Sequence, residues 1–171
     1  MKKPLFTVDW EDFDSALHKE YPYTNNHGLT KEPTEYLLSL LKKHGIKAIF
    51  YVLGITKLYN PSPYEMIIKD GHVIKSHGMH HYKYEEADRK PYSWLGFTGG
   101  FYFRFLPLWF IKWQVKRRSM FYIHPHDIMQ KHPTVWKNKL INFKRQVGLK
   151  TARKKLEKLL QEVEFESVTS A

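Results

Sequence analysis

The sequence predicts an α/β fold built on parallel strands, and three observations carry the prediction. Over the first 76 residues, apolar runs and helical segments come in the order strand, helix, strand, helix, strand, the pattern of parallel βα units. Three polar clusters, Asp9/Glu11/Asp12, His77/His80/His81 and His124/His126/Asp127, each come just after such a run. Finally, 171 residues with 42% hydrophobic and 16% aromatic content are enough for a single domain, residues 1–171, that buries about 70% of its unfolded surface.

The elements follow in chain order. Leu5 to Val8 is a short apolar run ending in acids, as a buried parallel strand delivers polar residues to a site at its C-terminal end. Pro33 to His44 reads as a helix: Pro33 suits its first turn, Leu37, Leu38, Leu40 and Leu41 supply the apolar face, and Gly45 stops it. Ala48 to Leu53 is a second strand, Pro63 to Asp70 a short helix closed by Gly71, and Val73 to Ser76 a third strand. Residues 82 to 98 mix charge with Pro91 and Gly96 and read as loop. Leu106 to Lys116 reads as a helix and Met120 to His124 as a fourth strand. Thr151 to Gln161 sets Ala152, Leu156, Leu159 and Leu160 at helical spacing, and Phe165 to Val168 returns as a last strand.

Composition narrows the chemistry. With no cysteine, disulfides, thiolate metal sites and cysteine nucleophiles are all excluded, so a metal must be held by nitrogen and oxygen. The basic start, Met1 to Lys3, meets Asp9 too soon for a signal peptide, and apolar runs such as Leu106 to Ile111 fall far short of the ~18 residues of a membrane span. A cytoplasmic protein is expected. Residues 1–100 carry 13 Lys/Arg against 12 Asp/Glu, whereas residues 101–171 carry 15 against 5, a net +10 that suits an anionic lipid surface, phosphorylated carrier or nucleic acid. Phe101 to Arg118, rich in aromatics and cations, reads either as a core helix with a solvated basic end or as an interfacial helix lying on anionic lipid. No separate arm or known motif makes nucleic acid a leading partner.

Strand C-termini share one face of a parallel α/β fold, so the three polar clusters should converge there. His77 and His81 are four apart, on one side of a helical turn, and a carboxylate from the first cluster completes a set of three ligands with a position left for water. A second carboxylate can accept the water's proton, and a histidine across the site can protonate a leaving group. That inventory fits metal-assisted hydrolysis of an amide or ester. The same residues also have plainer readings: chance histidine spacing, acids that cap a helix, and a loop histidine bonded to backbone.

In order, Thr7-Val8-Asp9-Trp10-Glu11-Asp12, Ile46 to Gly54, Gly71 to His81 with Ser76-His77-Gly78-Met79-His80-His81, and Phe121-Tyr122-Ile123-His124-Pro125 resemble the motifs of the NodB-type polysaccharide deacetylases. The resemblance resumes near Gly99 to Arg104 and continues through Gly148 to Phe165. It implies a distorted (β/α) barrel that binds a divalent metal, Zn²⁺ by preference for two nitrogens and one oxygen, and removes N-acetyl groups from amino sugars. Carried over by motif, Asp9 is the general base, His124 the general acid, and His77 and His81 metal ligands. The third ligand is Glu11 or Asp12, and strand alternation, which turns Glu11 to the side of Asp9, favours Glu11. Arg89-Lys90-Pro91-Tyr92 matches the arginine motif that orients the base, while Asp127 or Trp94 are the candidates for steadying the acid. Only 38 residues separate His81 from Met120, fewer than a full barrel needs, so a reduced barrel that need not close is expected. Its open edges could be paired in a homodimer.

Three functions follow: a metal-dependent hydrolase deacetylating an amino sugar of a cell-surface polysaccharide or its lipid-linked precursor; a catalytically impaired relative that keeps a metal or glycan groove; and a basic nucleic-acid-binding domain.

Overall fold

The structure is a computed structural model and describes residues 2–13, 29–80, 87–88, 97–132 and 139–169. Four strands, β1 (Leu5–Trp10), β2 (Ile49–Val52), β3 (Val73–Ser76) and β4 (Met120–Ile123), form one parallel sheet in the order β3-β2-β1-β4. Among the described residues the sheet is open, with β3 and β4 at its edges, so the fold is α/β without a closed barrel. The β1–β2 connection contains α1 (Lys31–Lys43), the β2–β3 connection α2 (Gly54–Tyr59) and α3 (Pro61–Lys69), and the β3–β4 connection α4 (Gly100–Phe105) and α5 (Leu108–Arg118). After β4 come a 3₁₀ turn (Pro125–Ile128), α6 (Lys139–Gln146) and α7 (Leu149–Glu162).

β1 is central, and Phe6 to Trp10 are all buried, as expected of a parallel strand covered on both faces. Alternation turns Phe6, Val8 and Trp10 to the core. There Phe6 meets Phe121 and Phe165 at ring separations of 5.2 and 5.4 Å, and the Trp10 indole donates to Thr34 Oγ1 at 3.0 Å. Leu37, Leu38 and Leu41 of α1 and Leu156 and Leu159 of α7 complete the same cluster. Thr7 and Asp9 alternate to the opposite face, and Asp9 emerges where β1 ends.

Three helices, α2, α4 and α6, go beyond the sequence expectation, and the helix expected over Leu106 to Lys116 begins instead at Leu108, because Pro107 sits extended at the break after α4. The expected strand Phe165 to Val168 is corrected to a single bridge, Leu5 to Glu166. The amide of Glu166 donates to Pro4 O at 2.9 Å and that of Val168 to Lys47 O at 3.0 Å, while Ser167 Oγ accepts from the Lys47 amide at 2.9 Å. The segment thus bonds to two chains in turn, across the N-terminal ends of β1 and β2, and runs alongside neither. Gly99 marks a close approach: a Cβ there would meet Tyr122 O at 1.7 Å, so only glycine lets α4 start against β4.

His72, just before β3, ties this strand to the core. Its Nδ1 accepts the Ala48 amide at 3.1 Å beside the Phe50 ring, and burial, with Lys47 nearby, lowers its pKa to about 4. A folded-state pKa below the unfolded value means the unfolded chain binds more protons, so stability is fully present above about pH 6.5 and is lost as pH falls toward 4. With partial solvent screening discounted, the loss is about 1–2 kcal/mol. Denaturant titrations of the parent and of His72→Asn, whose amide oxygen can still accept from Ala48, should differ by that amount at pH 4.5 relative to pH 7.5; identical pH profiles would remove His72 from the account.

Candidate functional site

The ends of β1 and β4 build the site. Asp9 is the penultimate residue of β1, the Glu11 amide donates to Asp9 O at 3.1 Å, and both carboxylates face His124 after β4. His124 lies between them, with Nε2 3.7 Å from Asp9 Oδ2 and 3.6 Å from Glu11 Oε1. Its position is fixed by Pro125, which opens the 3₁₀ turn, and by Asp127, which accepts from the His124 amide at 3.0 Å and pairs with Nδ1 at 2.8 Å. With Nδ1–H on Asp127, Nε2 is the nitrogen presented to the acids. Burial opposes charging His124, but Asp127, Glu11 and Asp9 together outweigh it and push the pKa up to about 9. Burial likewise opposes ionisation of Asp127, yet His124 holds its pKa well below the usual carboxylate range.

Behind Asp127 stands Arg104 of α4, itself 5% exposed. Its Nε donates to Asp127 Oδ1 at 3.0 Å, and its two terminal nitrogens donate to the carbonyls of Lys144, Arg145 and Val147 at 3.2, 2.6 and 3.0 Å. A relay Arg104–Asp127–His124 therefore connects α4 and the end of α6 to Asp9 of β1 and to Glu11 just beyond it. In front of His124 opens a cavity of about 510 Å³, bordered by Glu11, Phe101, Tyr102, Tyr122, Lys144 and Arg145.

The remaining sequence candidates divide between the two sides of the sheet. The Asp12 amide donates to Thr56 Oγ1 of α2 at 3.1 Å, which places Asp12 on the β2 side. His77, 6% exposed, follows β3; its amide donates to Val52 O at 3.0 Å and its ring lies 6.5 Å from that of Tyr51. His80 is half-buried. His81, Arg89 and Trp94 lie outside the described residues. Among the described residues, one group of three side chains offers ligand atoms all within 4.8 Å of one another: Glu11, His124 and His126. The His126 ring stacks on His124 at 4.6 Å, and burial, reinforced by His124 and Arg145, keeps its pKa well below the ordinary histidine value. Buried carboxylates beside buried imidazoles are the donor chemistry of a divalent transition metal, so the residues present fit such an ion.

Sequence reasoning gave Arg104 no role and named Asp127 only as one of two candidates. The signal for both was a single pair of opposite charges, an arginine inside an aromatic stretch and an aspartate three residues after His124.

The model described as "Domain of unknown function (DUF3473)" matches residues 85–171, and the model described as "Polysaccharide deacetylase" matches residues 19–93. Two curated relatives, the peptidoglycan-N-acetylglucosamine deacetylases PgdA of Listeria monocytogenes serotype 1/2a strains 10403S and EGD / Mackaness, are each 33% identical over 67 residues, 39% of this chain and 14% of the relative. The matched stretch is thus about a seventh of the curated relatives' length. Among solved structures, the Bc1960 peptidoglycan N-acetylglucosamine deacetylase aligns with a TM-score of 0.42 at 16% identity, covering 98% of this chain and 86% of that one. The peptidoglycan deacetylase PdaC of Bacillus subtilis aligns with a TM-score of 0.42 at 15% identity, covering 97% and 87%.

Proposed function

The chain belongs to the polysaccharide deacetylase family, with its C-terminal half matching the domain of unknown function DUF3473, and from that premise we propose that it is a metal-dependent hydrolase removing N-acetyl groups from an amino sugar of a cell-surface polysaccharide or its lipid-linked precursor. The observation that carries the reading is His124 held between Asp9 and Glu11 with Asp127 behind it. His77, His81 and a carboxylate of the first cluster would hold the divalent ion, and Asp12, whose backbone is tied to the β2 side where His77 also lies, is now favoured over Glu11 for that place. When bound, the ion supplies Lewis acidity that polarises the amide carbonyl and makes water a better nucleophile. Asp9 accepts the proton of the attacking water as the carbon–oxygen bond forms. His124, charged at neutral pH because its pKa stands near 9, passes its Nε2 proton to the departing amine as the carbon–nitrogen bond breaks, and acetate leaves. Glu11 and Asp127 keep that proton on His124 until it is needed, and Tyr102 and Tyr122 offer the cavity walls on which a sugar ring can rest.

A second reading rests on the Glu11/His124/His126 group, which could hold the ion on the β4 side and would convert His124 from acid to ligand. Metal content after dialysis against Zn²⁺, together with acetate release from N-acetylated oligosaccharides, tests both. The parent and His126→Ala should each retain one equivalent, and His77→Ala or His81→Ala should retain none. Retention in His77→Ala with loss in His126→Ala would move the site to β4. Metal binding without acetate release from any N-acetylated glycan or lipid-linked sugar would leave a glycan- or metal-binding relative.

A further inference from the structure

The outer face of α5 is not accounted for by the site. Trp109 and Trp113 of α5, four residues apart, are 68% and 49% exposed, and Phe105 at the end of α4 is 55% exposed, while Ile111, Gln114 and Val115 fill the inner face of α5. The aromatic side chains form two groups: Phe110 contacts Trp109 and Trp113 at ring separations of 5.8 and 5.6 Å, and Phe105 stacks on Phe101, which borders the cavity. Cations finish the stripe. Lys116, Arg117 and Arg118 occupy the last turn of α5, and the Arg117 guanidinium lies 5.3 Å from the centre of the Trp113 ring. No acidic residue occurs between positions 89 and 126, a stretch with seven Lys or Arg. Lys112, the cation nearer the protein body, is engaged by Glu162 of α7.

A solvent-facing pair of tryptophans costs free energy in water, and an exposed apolar patch edged with charge marks an interaction surface. Tryptophan settles at the boundary between headgroups and acyl chains, and Lys and Arg beside it reach outward to phosphates. Among the described residues no helix is long and apolar enough to cross a membrane, so contact by this route is peripheral. We infer that the outer face of α5, with Trp109, Trp113, Lys116 and Arg117, together with Phe105 at the end of α4, docks the protein on a bilayer surface rich in anionic lipid, with the cavity mouth beside the point of contact. The acid-free segment selects the anionic membrane as occupant: its field attracts Lys116, Arg117 and Arg118, and no carboxylate on the segment opposes it. This goes beyond the hydrolytic reading and holds whether or not the site turns over.

Co-sedimentation with phosphatidylcholine vesicles, pure or containing phosphatidylglycerol, tests the inference directly, with tryptophan emission as a second readout. The parent should bind the anionic vesicles with a blue shift, bind the neutral ones weakly, and be released by high salt. Trp109→Ser/Trp113→Ser should lose both binding and blue shift, and Lys116→Gln/Arg117→Gln should weaken the partition by about fivefold per charge removed. Leu58→Ser, at an exposed apolar position on α2, should bind as the parent does. Circular dichroism establishes that each variant is folded. Binding that ignores lipid charge, or that survives loss of both tryptophans, would overturn the inference. So would absence of vesicle binding coupled to a concentration-dependent dimer that the tryptophan variant abolishes, which would assign the face to a second copy of the chain.

Discussion

Replacing Arg104 with Met should lower the melting temperature by on the order of 10 °C, the largest stability effect expected of any single side chain here. The guanidinium is buried, forms an ion pair with Asp127 at 3.0 Å and satisfies three carbonyls at the end of α6. Removing one member of a buried pair leaves the other desolvated, which costs roughly 3–5 kcal/mol, more than the pair itself contributes to stability. Lys should rescue poorly, because its single ammonium cannot reproduce the planar fork that reaches Asp127 and the carbonyls together. Thermal unfolding followed by circular dichroism decides the matter. A shift of only 1–2 °C would mean that water or His124 compensates Asp127 fully.

Asp9→Asn should reduce acetate release at least ~100-fold, the usual lower scale for removing a general base, while leaving metal content unchanged. The substitution keeps the shape of a buried side chain 3.7 Å from His124 and removes only its ability to accept a proton. It also removes one of the three carboxylates that raise the pKa of His124, so the alkaline limb of the rate profile should move to lower pH. Turnover and metal content measured on the same preparation separate the two roles. An Asp9→Asn variant that loses the ion would make Asp9 a ligand, and one that retains full turnover would remove it from the chemistry.

Much of the scaffold could be read in the sequence because its signals are local. Val73 to Ser76 matches β3 to the residue, and the leucine spacing from Leu37 to Leu41 gave α1 within two residues of each end. The α2 and α4 helices, six residues each, are too short to show a period, and the return of residues 165–168 depends on what it meets, Pro4 on one side and Lys47 on the other. In the site, the alternation of Asp9 and Glu11 was legible, and their meeting with His124 follows from parallel topology. The relay through Arg104 was not legible, since a pairing across 23 residues has no periodic signature. The side on which Asp12 lies was set by a bond to Thr56, 44 residues away, and alternation alone could not supply it.

The strand order has a consequence for how the chain is made. β1, β2 and β3 all lie within residues 5–76, whereas the other edge of β1 pairs with β4 in the register Leu5 to Met120. At a synthesis rate of ~10 residues per second, β1 waits roughly ten seconds for that partner. The central strand β1 is thus the first of the four strands to be synthesised and among the last to be completed. Meanwhile Phe6 and Val8 sit beside an unpaired edge of the sort that recruits other chains. Closing so long a segment also places the β1–β4 pairing late on the folding route, since distant contacts form only after the entropy of the intervening chain has been met. Nascent-chain aggregation should therefore concentrate between the emergence of β3 and that of β4, and the approach of His124 to Asp9 belongs to the last step of folding.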